Sequence, residues 1–438
     1  MSQWLDSLTL WLGANPEWLG LAIFLIACVE CLAIAGIIVP GTIVLFAVAV
    51  LAGNGVLSLW ETLALAYFGG LLGDALSYSI GRYFHQDIRR LPLLRSHPQW
   101  LSAAEIYFQR YGVASLLVGR YIGPLRPMLP MVAGMLNMPL GRFIVVSMLA
   151  AAGWSVAYML PGWATGAALR LPLPPGFWPQ AGAVAAGLAL VLVISAQGSL
   201  RGQRHASLLT AGSSLALLIG LFYGWPQLTQ LDQGLLAIIQ EQRSPALDNL
   251  MVLVTRLGDL QTQVAAGVLL TLVLLVTRQW RAAAFAGATL LGTALANDLL
   301  KSLFARTRPE VLLEPLGSFS FPSGHSSAAF AFFLALGILA GRGQPARMRL
   351  TWLLLACLPA AVIAISRVYL GVHWPSDIIA GAVLATSICA LSLALVQWRT
   401  PLLALPAKIW WLLLPVILAL LGGIATWQWS ADLLRYRY

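Results

Sequence analysis

The sequence predicts an all-α polytopic membrane protein, and its composition and segment lengths support this fold class. Hydrophobic residues make up 59% of the chain and charged residues only 10%, a balance that water-soluble domains do not show. Apolar stretches of about 20 residues, the length that crosses a bilayer as a helix, follow one another along most of the chain. Tryptophans lie at the edges of several stretches, as interfacial side chains do. Examples are Trp398, Trp410, Trp411, Trp427 and Trp429.

A polar, basic segment at residues 197–205 divides the chain. We therefore predict one membrane domain over residues 1–200 and a second over residues 206–438. The net charge of +10 is ascribed to loops that face the cytoplasm and contact anionic lipid, and no basic tract with interleaved aromatic residues indicates nucleic-acid binding. The N-terminus has neither a basic segment nor a small-residue cleavage site, so no removable signal peptide is expected.

The first domain is predicted to combine spanning helices with two re-entrant helical hairpins. Proline and glycine interrupt two of its apolar segments, residues 19–53 and 112–136, and paired interrupted segments are typical of hairpins that meet near the membrane midplane. The interruptions are Pro40-Gly41 in the first segment and Gly123-Pro124, Pro127 and Pro130 in the second. Uninterrupted spans are expected near residues 60–81, 141–162 and 178–196.

Four charged residues lie within these apolar segments: Glu30, Asp74, Arg120 and Arg126. Charge at that depth is expensive and marks a functional site by default, so we expect the four residues to have a functional role. The alternative is that they form ion pairs that only fix the hairpins against each other.

Small residues in the spans are assigned to packing. Gly69 and Gly73 have the small-x3-small spacing that lets two membrane helices approach closely. The cysteines lie in apolar surroundings that offer no polar support for redox chemistry or zinc, so we expect them to act as small hydrophobic residues. They are Cys28, Cys31, Cys357 and Cys389.

The second domain is predicted to be a bundle of six or seven helices. Its apolar stretches lie near residues 207–224, 261–277, 283–300, 327–341, 352–366, 377–397 and 409–426. Basic residues recur in every second loop, which places those loops in the cytoplasm. They are Arg201, Arg204, Arg278, Arg281, Arg342, Arg347, Arg349, Arg399 and Lys408. The loops at residues 301–325 and 367–376 then face the outside.

The stretch from Trp225 to Asp259 has leucines and isoleucines at helical intervals, with polar residues between them. Such a pattern indicates an amphipathic helix on the outer surface, which could act as a lid or a lipid entrance. The alternative is a helix that packs against the bundle.

Three short motifs in the second domain assemble one phosphate-transfer site. The first is K-x6-R-P, the second P-S-G-H and the third S-R-x5-H-x3-D. Phosphate-ester hydrolysis needs positive charge around the phosphoryl oxygens, a nucleophile in line and an acid for the leaving oxygen. Lys301, Arg308 and Arg367 supply the charge, and Lys301 is one of only two lysines in the chain.

The second and third motifs supply the remaining groups. Ser323-Gly324 precedes a long apolar run, so its backbone N–H groups lie at a helix N-terminus that suits an anion. His373 is the candidate nucleophile, because Asp377 lies four residues on and can hold one ring nitrogen while the other attacks. His325 is then the general acid.

These motifs resemble those of the type 2 phosphatidic acid phosphatase family, to which the vanadium haloperoxidases are related. All three motifs are complete, and Arg306 fits the R-x-R-P form common in the family. Over residues 206–400, the resemblance implies metal-independent hydrolysis through a phosphohistidine on His373, with Asp377 orienting it and His325 as the acid. It also implies a phosphate-binding set of Lys301, Arg308, Ser323, Gly324 and Arg367.

The first domain resembles the DedA family over residues 20–170. The resemblance implies translocation of polyprenyl or other phospholipids, coupled to protons through the carboxylates, and it assigns Glu30, Asp74, Arg120 and Arg126 to lipid transport. The matching residues are Glu30 with Pro40-Gly41, Gly73-Asp74 with Tyr78 and Gly81-Arg82, residues 119–126, and Gly153-Trp154. Two positions depart from the family pattern. Thr42 follows Gly41 where many members carry an acidic residue, and Ala150 stands near a common asparagine, which puts proton coupling in question.

Together the two domains predict a lipid-phosphate phosphatase coupled to lipid translocation in a bacterial inner membrane. The second domain would remove phosphate from undecaprenyl diphosphate on the outer face, and the first would return undecaprenyl phosphate. One alternative is a phosphatidic acid or phosphatidylglycerophosphate phosphatase with a glycerophospholipid-translocating domain; another is a transporter with a non-catalytic phosphatase-fold module. No metal or cofactor is expected. The partners are the lipid phosphate or diphosphate and membrane lipids, with a homo-oligomer left open.

Overall fold

The computed structural model describes residues 2–33, 35–38, 41–84, 95, 98–120, 126–171, 173–201, 205–313, 317–426 and 436. Every regular element in these residues is helical, and eight helices are long and apolar enough to cross a membrane. The chain separates into two compact units, residues 1–172 and 173–438. The predicted all-α polytopic fold class is therefore confirmed.

Nine α-helices lie in the described residues of the first unit. They are α1 (Ser2–Ala14), α2 (Leu19–Cys31), α3 (Ala35–Ile38), α4 (Gly41–Leu51), α5 (Leu59–Tyr83), α6 (Pro98–Tyr111), α7 (Val113–Gly119), α8 (Met128–Met135) and α9 (Leu140–Arg170). The long helices α5 and α9 contain the first two spans predicted above, near residues 60–81 and 141–162.

Helix α5 shows how local sequence starts a span and how small residues pack it. Ser58 caps the helix: its Oγ accepts a hydrogen bond from the backbone N–H of Glu61 at 3.2 Å, and the Glu61 carboxylate accepts one from the Ser58 N–H at 2.9 Å. This reciprocal pair satisfies two amides that the helix leaves open. Further along, Gly69 and Gly73 lie against backbone carbonyls of α2 so closely that no Cβ would fit, which confirms the predicted close packing.

Each of the two interrupted segments contains more than one helix in the described residues. Helix α2 ends at Cys31 before α4 begins, and α7 ends at Gly119 before α8 begins. At the first break, Ser77 Oγ accepts from the Ala33 N–H and donates to the Cys31 carbonyl, each at 3.0 Å. The interrupting residues Pro40, Gly123 and Pro124 lie outside the described residues, and the re-entrant course of these segments stays a prediction.

Ten α-helices lie in the described residues of the second unit. They are α10 (Phe177–Leu200), α11 (Ala206–Gly224), α12 (Thr229–Gln240), α13 (Pro245–Arg256), α14 (Leu260–Val276), α15 (Trp280–Phe304), α16 (Gly324–Ala340), α17 (Ala346–Tyr369), α18 (Pro375–Val396) and α19 (Ala407–Thr426). Each of the seven apolar stretches predicted here forms a helix. Helix α10, which the sequence places at the end of the first domain, packs against α11, α12 and α17 in the second unit.

The core of the second unit lies between α14, α15, α16, α18 and α19. Phe285 and Phe332 are fully buried there, and burying an aromatic side chain stabilises a fold by about 1.5–3 kcal/mol. Arg281 closes one end of the bundle, because its guanidinium donates to the carbonyls of Val396 at 2.6 Å and Thr400 at 2.5 Å. This contact satisfies carbonyls that the end of α18 leaves without intrahelical partners.

The stretch from Trp225 to Asp259 does not form the single amphipathic helix predicted above. It contains two helices, α12 and α13, because Pro245 cannot continue a helix and instead occupies the first turn of the next one. Asp232 of α12 is fully buried, and both helices pack against α17. The structure therefore favours the packing alternative over a loosely held lid.

Candidate active site

The structure brings all eight residues of the predicted phosphate-transfer site to one end of the second unit. Lys301 lies in the last turn of α15 and Arg367 in the last turn of α17, while Ser323, Gly324 and His325 begin α16. Asp377 lies in the first turn of α18, His373 lies in the loop that precedes it, and Arg308 lies in the loop after α15. Helix ends that point to one place give the site a fixed frame.

His373 is held by both ring nitrogens and is 1% exposed. Its Nδ1 lies 3.3 Å from Asp377 Oδ2, and its Nε2 lies 3.2 Å from Arg308 Nη1. Gly371 makes the turn that brings the histidine back, with a φ of +70° that other residues adopt only with strain. The carboxylate can keep the proton on Nδ1, so Nε2 is the nitrogen that can attack.

Asp377 belongs to a buried network that reaches the outer helix α12. Its carboxylate accepts from the Trp374 N–H at 2.9 Å and from Arg306 Nη1 at 2.8 Å. Arg306 also donates through Nη2 to Asp232 at 2.6 Å, and Asp232 accepts from the Ser376 N–H at 2.8 Å. A single arginine therefore joins two buried carboxylates, which only such pairing and hydrogen bonding make tolerable.

Arg308 and Arg367 donate hydrogen bonds to carbonyl and hydroxyl groups around the site. Arg308 donates to the carbonyls of Ser318 at 2.7 Å and Val372 at 2.6 Å. Arg367 donates to the hydroxyls of Thr255 at 2.8 Å and Tyr436 at 3.0 Å. These contacts with carbonyls and hydroxyls fix the orientation of both guanidinium groups, and a guanidinium suits bidentate contact with phosphate oxygens.

The P-S-G-H turn places a helix N-terminus beside these cations. Ser323 is the N-cap residue of α16, its Oγ accepts from the Ser326 N–H at 3.4 Å, and its own N–H donates to the Asp377 carbonyl at 3.0 Å. A Cβ on Gly324 would lie 3.6 Å from Lys301 Nζ. The first backbone amides of α16 therefore lie beside Lys301, where the helix dipole also favours negative charge.

Sequence reasoning missed the partner of His325. The Nε2 of His325 lies 2.7 Å from Asp259 Oδ1, and Asp259 stands at the turn between α13 and α14. Asp259 is the last residue of the Trp225–Asp259 stretch, and its sequence pattern indicated no catalytic role for it. It also gave no role in the site to Asp232, Thr255 or Tyr436, which lie far from the three motifs in the chain.

The four charged residues of the first unit form a second buried cluster. Glu30 pairs with Arg126 and Asp74 pairs with Arg120. Both arginines lie over the ring of Trp154, at 4.9 Å for Arg120 and 5.8 Å for Arg126. Three members of the cluster, Asp74, Arg120 and Arg126, line a narrow cavity with Ser147 and several apolar residues. The structure thus brings together all four residues that the sequence assigned to lipid transport.

Comparisons with known proteins agree with the division of the chain into two units. The PAP2 superfamily model matches residues 281–401, and the VTT domain model matches residues 39–164. An uncharacterized membrane protein of Buchnera aphidicola subsp. Schizaphis graminum is 34% identical over 175 residues, which cover 40% of this chain and 68% of that protein. The chain contains a VTT (DedA) domain and a PAP2 superfamily domain. It joins a VTT domain in the first unit to a PAP2 domain in the second.

Two further relatives have assigned names or structures. The inner membrane protein YabI of Escherichia coli is 36% identical over 152 residues, so the alignment spans 35% of this chain and 60% of YabI. A crystal structure of a PAP2-type phosphatidylglycerolphosphate phosphatase from Bacillus subtilis is 24% identical, with a TM-score of 0.39, and the match covers 43% of this chain and 97% of that chain.

The cations of the PAP2 site act on its two histidines. Burial lowers the pKa of His373 well below its usual range, and the charges of Arg308 and Arg367 act in the same direction. His373 is therefore neutral at pH 7, which is the nucleophilic form of imidazole. Burial and the charge of Arg367 lower the pKa of His325 to about 4, whereas Asp259 raises it. A phosphate dianion bound among these cations would offset their charge and so raise the pKa of His325.

Proposed function

We propose that this integral membrane protein is a lipid-phosphate phosphatase whose VTT domain moves the lipid between leaflets. The observation that carries the phosphatase assignment is the placement of His373, with Nδ1 at Asp377 and Nε2 at Arg308. Lys301 and Arg367 both contribute positive charge at this histidine. A buried, oriented and neutral imidazole next to three cations suits attack on a phosphoryl group.

The reaction proceeds in two displacements. In the first, Nε2 of His373 forms a bond to phosphorus, the bond to the leaving oxygen breaks, and His325 protonates that oxygen. In the second, His325 takes a proton from water, the water oxygen bonds to phosphorus, and the bond between nitrogen and phosphorus breaks. Throughout, Lys301, Arg308 and Arg367 stabilise the charge on the phosphoryl oxygens.

For the substrate, we favour undecaprenyl diphosphate, cleaved on the outer face of the inner membrane, with undecaprenyl phosphate returned by the VTT domain. Support for the outward orientation comes from the basic loops, because Arg281 lies at the start of α15 and Lys301 of the first motif lies in the last turn of the same helix. The fusion supports the pairing of activities, because the product of one domain is then the cargo of the other. Phosphatidic acid and phosphatidylglycerophosphate are the competing substrates.

The test is phosphate release by the purified protein in detergent from a panel of undecaprenyl diphosphate, phosphatidic acid and phosphatidylglycerophosphate. We expect the highest kcat/KM with undecaprenyl diphosphate. Preference for a glycerophospholipid would replace this substrate assignment with the competing one. Absence of release from every lipid would refute the phosphatase assignment and favour a transporter with a non-catalytic module.

Catalysis is expected to proceed without a divalent metal. The charge that phosphoryl transfer requires is supplied covalently by Lys301, Arg308 and Arg367, which can take over the electrostatic role of a metal ion. Phosphate release should therefore stay within about twofold of its initial rate in excess chelator. Loss of activity in chelator, with recovery on added magnesium, would contradict this expectation.

Neutralising the charged pair Glu30 and Arg126 is expected to stop lipid movement and leave phosphate release unchanged. Both residues are buried in the VTT domain, and charge retained in a membrane segment at a cost of about 2.5–3.5 kcal/mol indicates a function. The variants are Glu30→Gln, Arg126→Gln and the double variant, which leaves no unpaired charge. The measurements are phosphatase activity in detergent and leaflet-resolved transport of lipid in vesicles.

The matched control for these variants is Glu61→Gln. Glu61 is an exposed carboxylate of the same domain that only caps α5, so both activities should remain. Normal transport by the double variant would show that the buried pair is structural, and the assignment of transport to this cluster would then be wrong.

A further inference from the structure

We propose that Asp259 is the positioning residue of the general acid His325 and that it adapts the PAP2 site to poor, alkoxide-type leaving groups. This inference rests on the proposed phosphatase function and adds a residue that none of the three motifs contains. It also bears on the substrate class, because leaving groups differ in how much they need an acid.

The first observation is that Asp259 occupies a capping position without capping. It is the N-cap residue of α14, yet its side chain makes no hydrogen bond to the amides of that helix. Aspartate at this position ordinarily binds one of those amides and stabilises the helix. Here the carboxylate instead lies 2.7 Å from His325 Nε2. The Asp259 side chain therefore contacts His325 and does not cap its own helix.

The turn that carries Asp259 is built to hold it against His325. The Asp259 N–H donates to the Arg256 carbonyl at 3.1 Å, and Gln263 Nε2 donates to the Leu257 carbonyl at 2.5 Å. A Cβ on Gly258 would lie 3.3 Å from both Cβ and Cδ2 of His325, so glycine permits the close approach of the turn. The position of the carboxylate therefore follows from a hydrogen-bonded backbone and does not depend on a flexible loop.

The same short segment also orients Arg367, one of the proposed phosphate-binding residues. Thr255, at the end of α13, accepts a hydrogen bond from Arg367 at 2.8 Å, four residues before Asp259. One turn of chain thus orients a phosphate-binding arginine and the acid that protonates the leaving group. Such a shared support fixes the relative positions of two groups that must act on the same phosphoryl group.

The charges around His325 explain why the acid needs a carboxylate. The proposed phosphate-binding part of the site contains Lys301 and Arg367, with His373 nearby. The two cations favour the neutral form of His325. Asp259 faces the same ring and favours the protonated form. When substrate is bound, the phosphate dianion offsets the cations, and Asp259 then acts to keep His325 charged.

His325 transfers its proton to the leaving oxygen as that oxygen separates from phosphorus. With Asp259 holding Nε2–H of the imidazolium, the proton on Nδ1 passes to the leaving oxygen as the bond between phosphorus and oxygen breaks. The electron pair of that bond stays on the oxygen, and the neutral imidazole keeps Nε2–H on Asp259. In the second displacement the same Nδ1 takes a proton from the attacking water.

The leaving group decides how much this pair contributes. An alkoxide leaves a phosphate monoester poorly unless it is protonated, so general-acid catalysis contributes most for such substrates. An aryl oxide or a phosphate group, the latter released when a diphosphate is cleaved, carries its charge well and needs little help. Asp259 therefore broadens the substrate range from diphosphates to lipid phosphate monoesters.

The test compares Asp259→Asn with wild type on phosphatidic acid and on p-nitrophenyl phosphate in the same detergent. Asparagine is also a good N-cap residue, so α14 should be retained. We expect kcat/KM for phosphatidic acid to fall about 10²-fold, and that for p-nitrophenyl phosphate to change by less than about threefold. The alkaline limb of the kcat profile for phosphatidic acid should move to lower pH by about one pH unit, because the acid loses its partner carboxylate.

The matched control is Asp248→Asn, which removes an equal charge from α13. Asp248 contacts Arg243 at 3.2 Å and is not among the groups that act on His325, so both activities and the pH profile should remain. If Asp259→Asn does not fold, Asp259→Ser, which can also cap α14, is measured in its place.

Two results would overturn the inference. One is an equal loss on both substrates with an unchanged pH profile, which would make Asp259 a structural residue only. The other is unchanged activity on phosphatidic acid. Failure of the proposed function looks different: the wild-type protein would then release no phosphate from either compound, or its activity would survive His373→Ala.

Discussion

Replacing His373 by alanine is expected to lower phosphate release by at least about 10³-fold, the loss typical of a residue that belongs to a catalytic unit. Its Nε2 is the atom proposed to bond to phosphorus, and Arg308 at 3.2 Å cannot take over that role because it is never deprotonated. His325→Ala is expected to cause a comparable loss with phosphatidic acid. Initial rates in detergent measure both effects.

Two further variants make the His373 result interpretable. His373→Asn keeps a polar group of similar shape beside Asp377 but has no nucleophilic nitrogen, so it should fold and be as inactive as the alanine variant. His205→Ala removes an exposed histidine at the start of α11 and should be fully active. If either active-site alanine variant retained more than about a tenth of wild-type activity, its catalytic assignment would be wrong.

Replacing Arg306 by methionine is expected to reduce both stability and turnover. Arg306 is the ion-pair partner of two fully buried carboxylates, Asp377 at 2.8 Å and Asp232 at 2.6 Å. Leaving them without their cation should cost about 3–5 kcal/mol of unfolding free energy. The histidine that Asp377 orients would also shift, and misplacement of a reacting group by about 1 Å can cost on the order of 10²-fold in rate. Thermal unfolding and kcat in detergent measure the two losses.

The second variant in this series is Asp232→Asn, alone and combined with Arg306→Met. Removal of one carboxylate should relieve part of the repulsion in the double variant, so the two losses should be coupled by about 0.5–3 kcal/mol. Arg281→Met is the matched control, because Arg281 binds carbonyls at the other end of α18 and should leave kcat unchanged. Strict additivity would mean that the Arg306 network is not a unit.

The sequence by itself predicted which segments form the apolar helices and which residues carry the candidate chemistry. Span lengths follow from the thickness of the bilayer and the need to satisfy backbone groups within each helix, so local hydropathy was sufficient. The motifs could be identified because His373 and Asp377, like Ser323 to His325, are close in the chain and lie at helix ends. The structure also shows helix ends within both interrupted segments of the first unit, after α2 and after α7.

Only the tertiary structure decided what surrounds those residues. Asp259 lies 66 positions from His325, and Asp232 lies 144 positions from Ser376, so no local periodicity connects them. The split of the Trp225–Asp259 stretch into two packed helices has the same origin. Its polar residues look solvent-facing in a helical pattern, but Asp232 is buried because Arg306, from a distant loop, pairs with it. Buried charge is stable only with such partners, and partners from separate helix ends become visible only when the bundle is assembled.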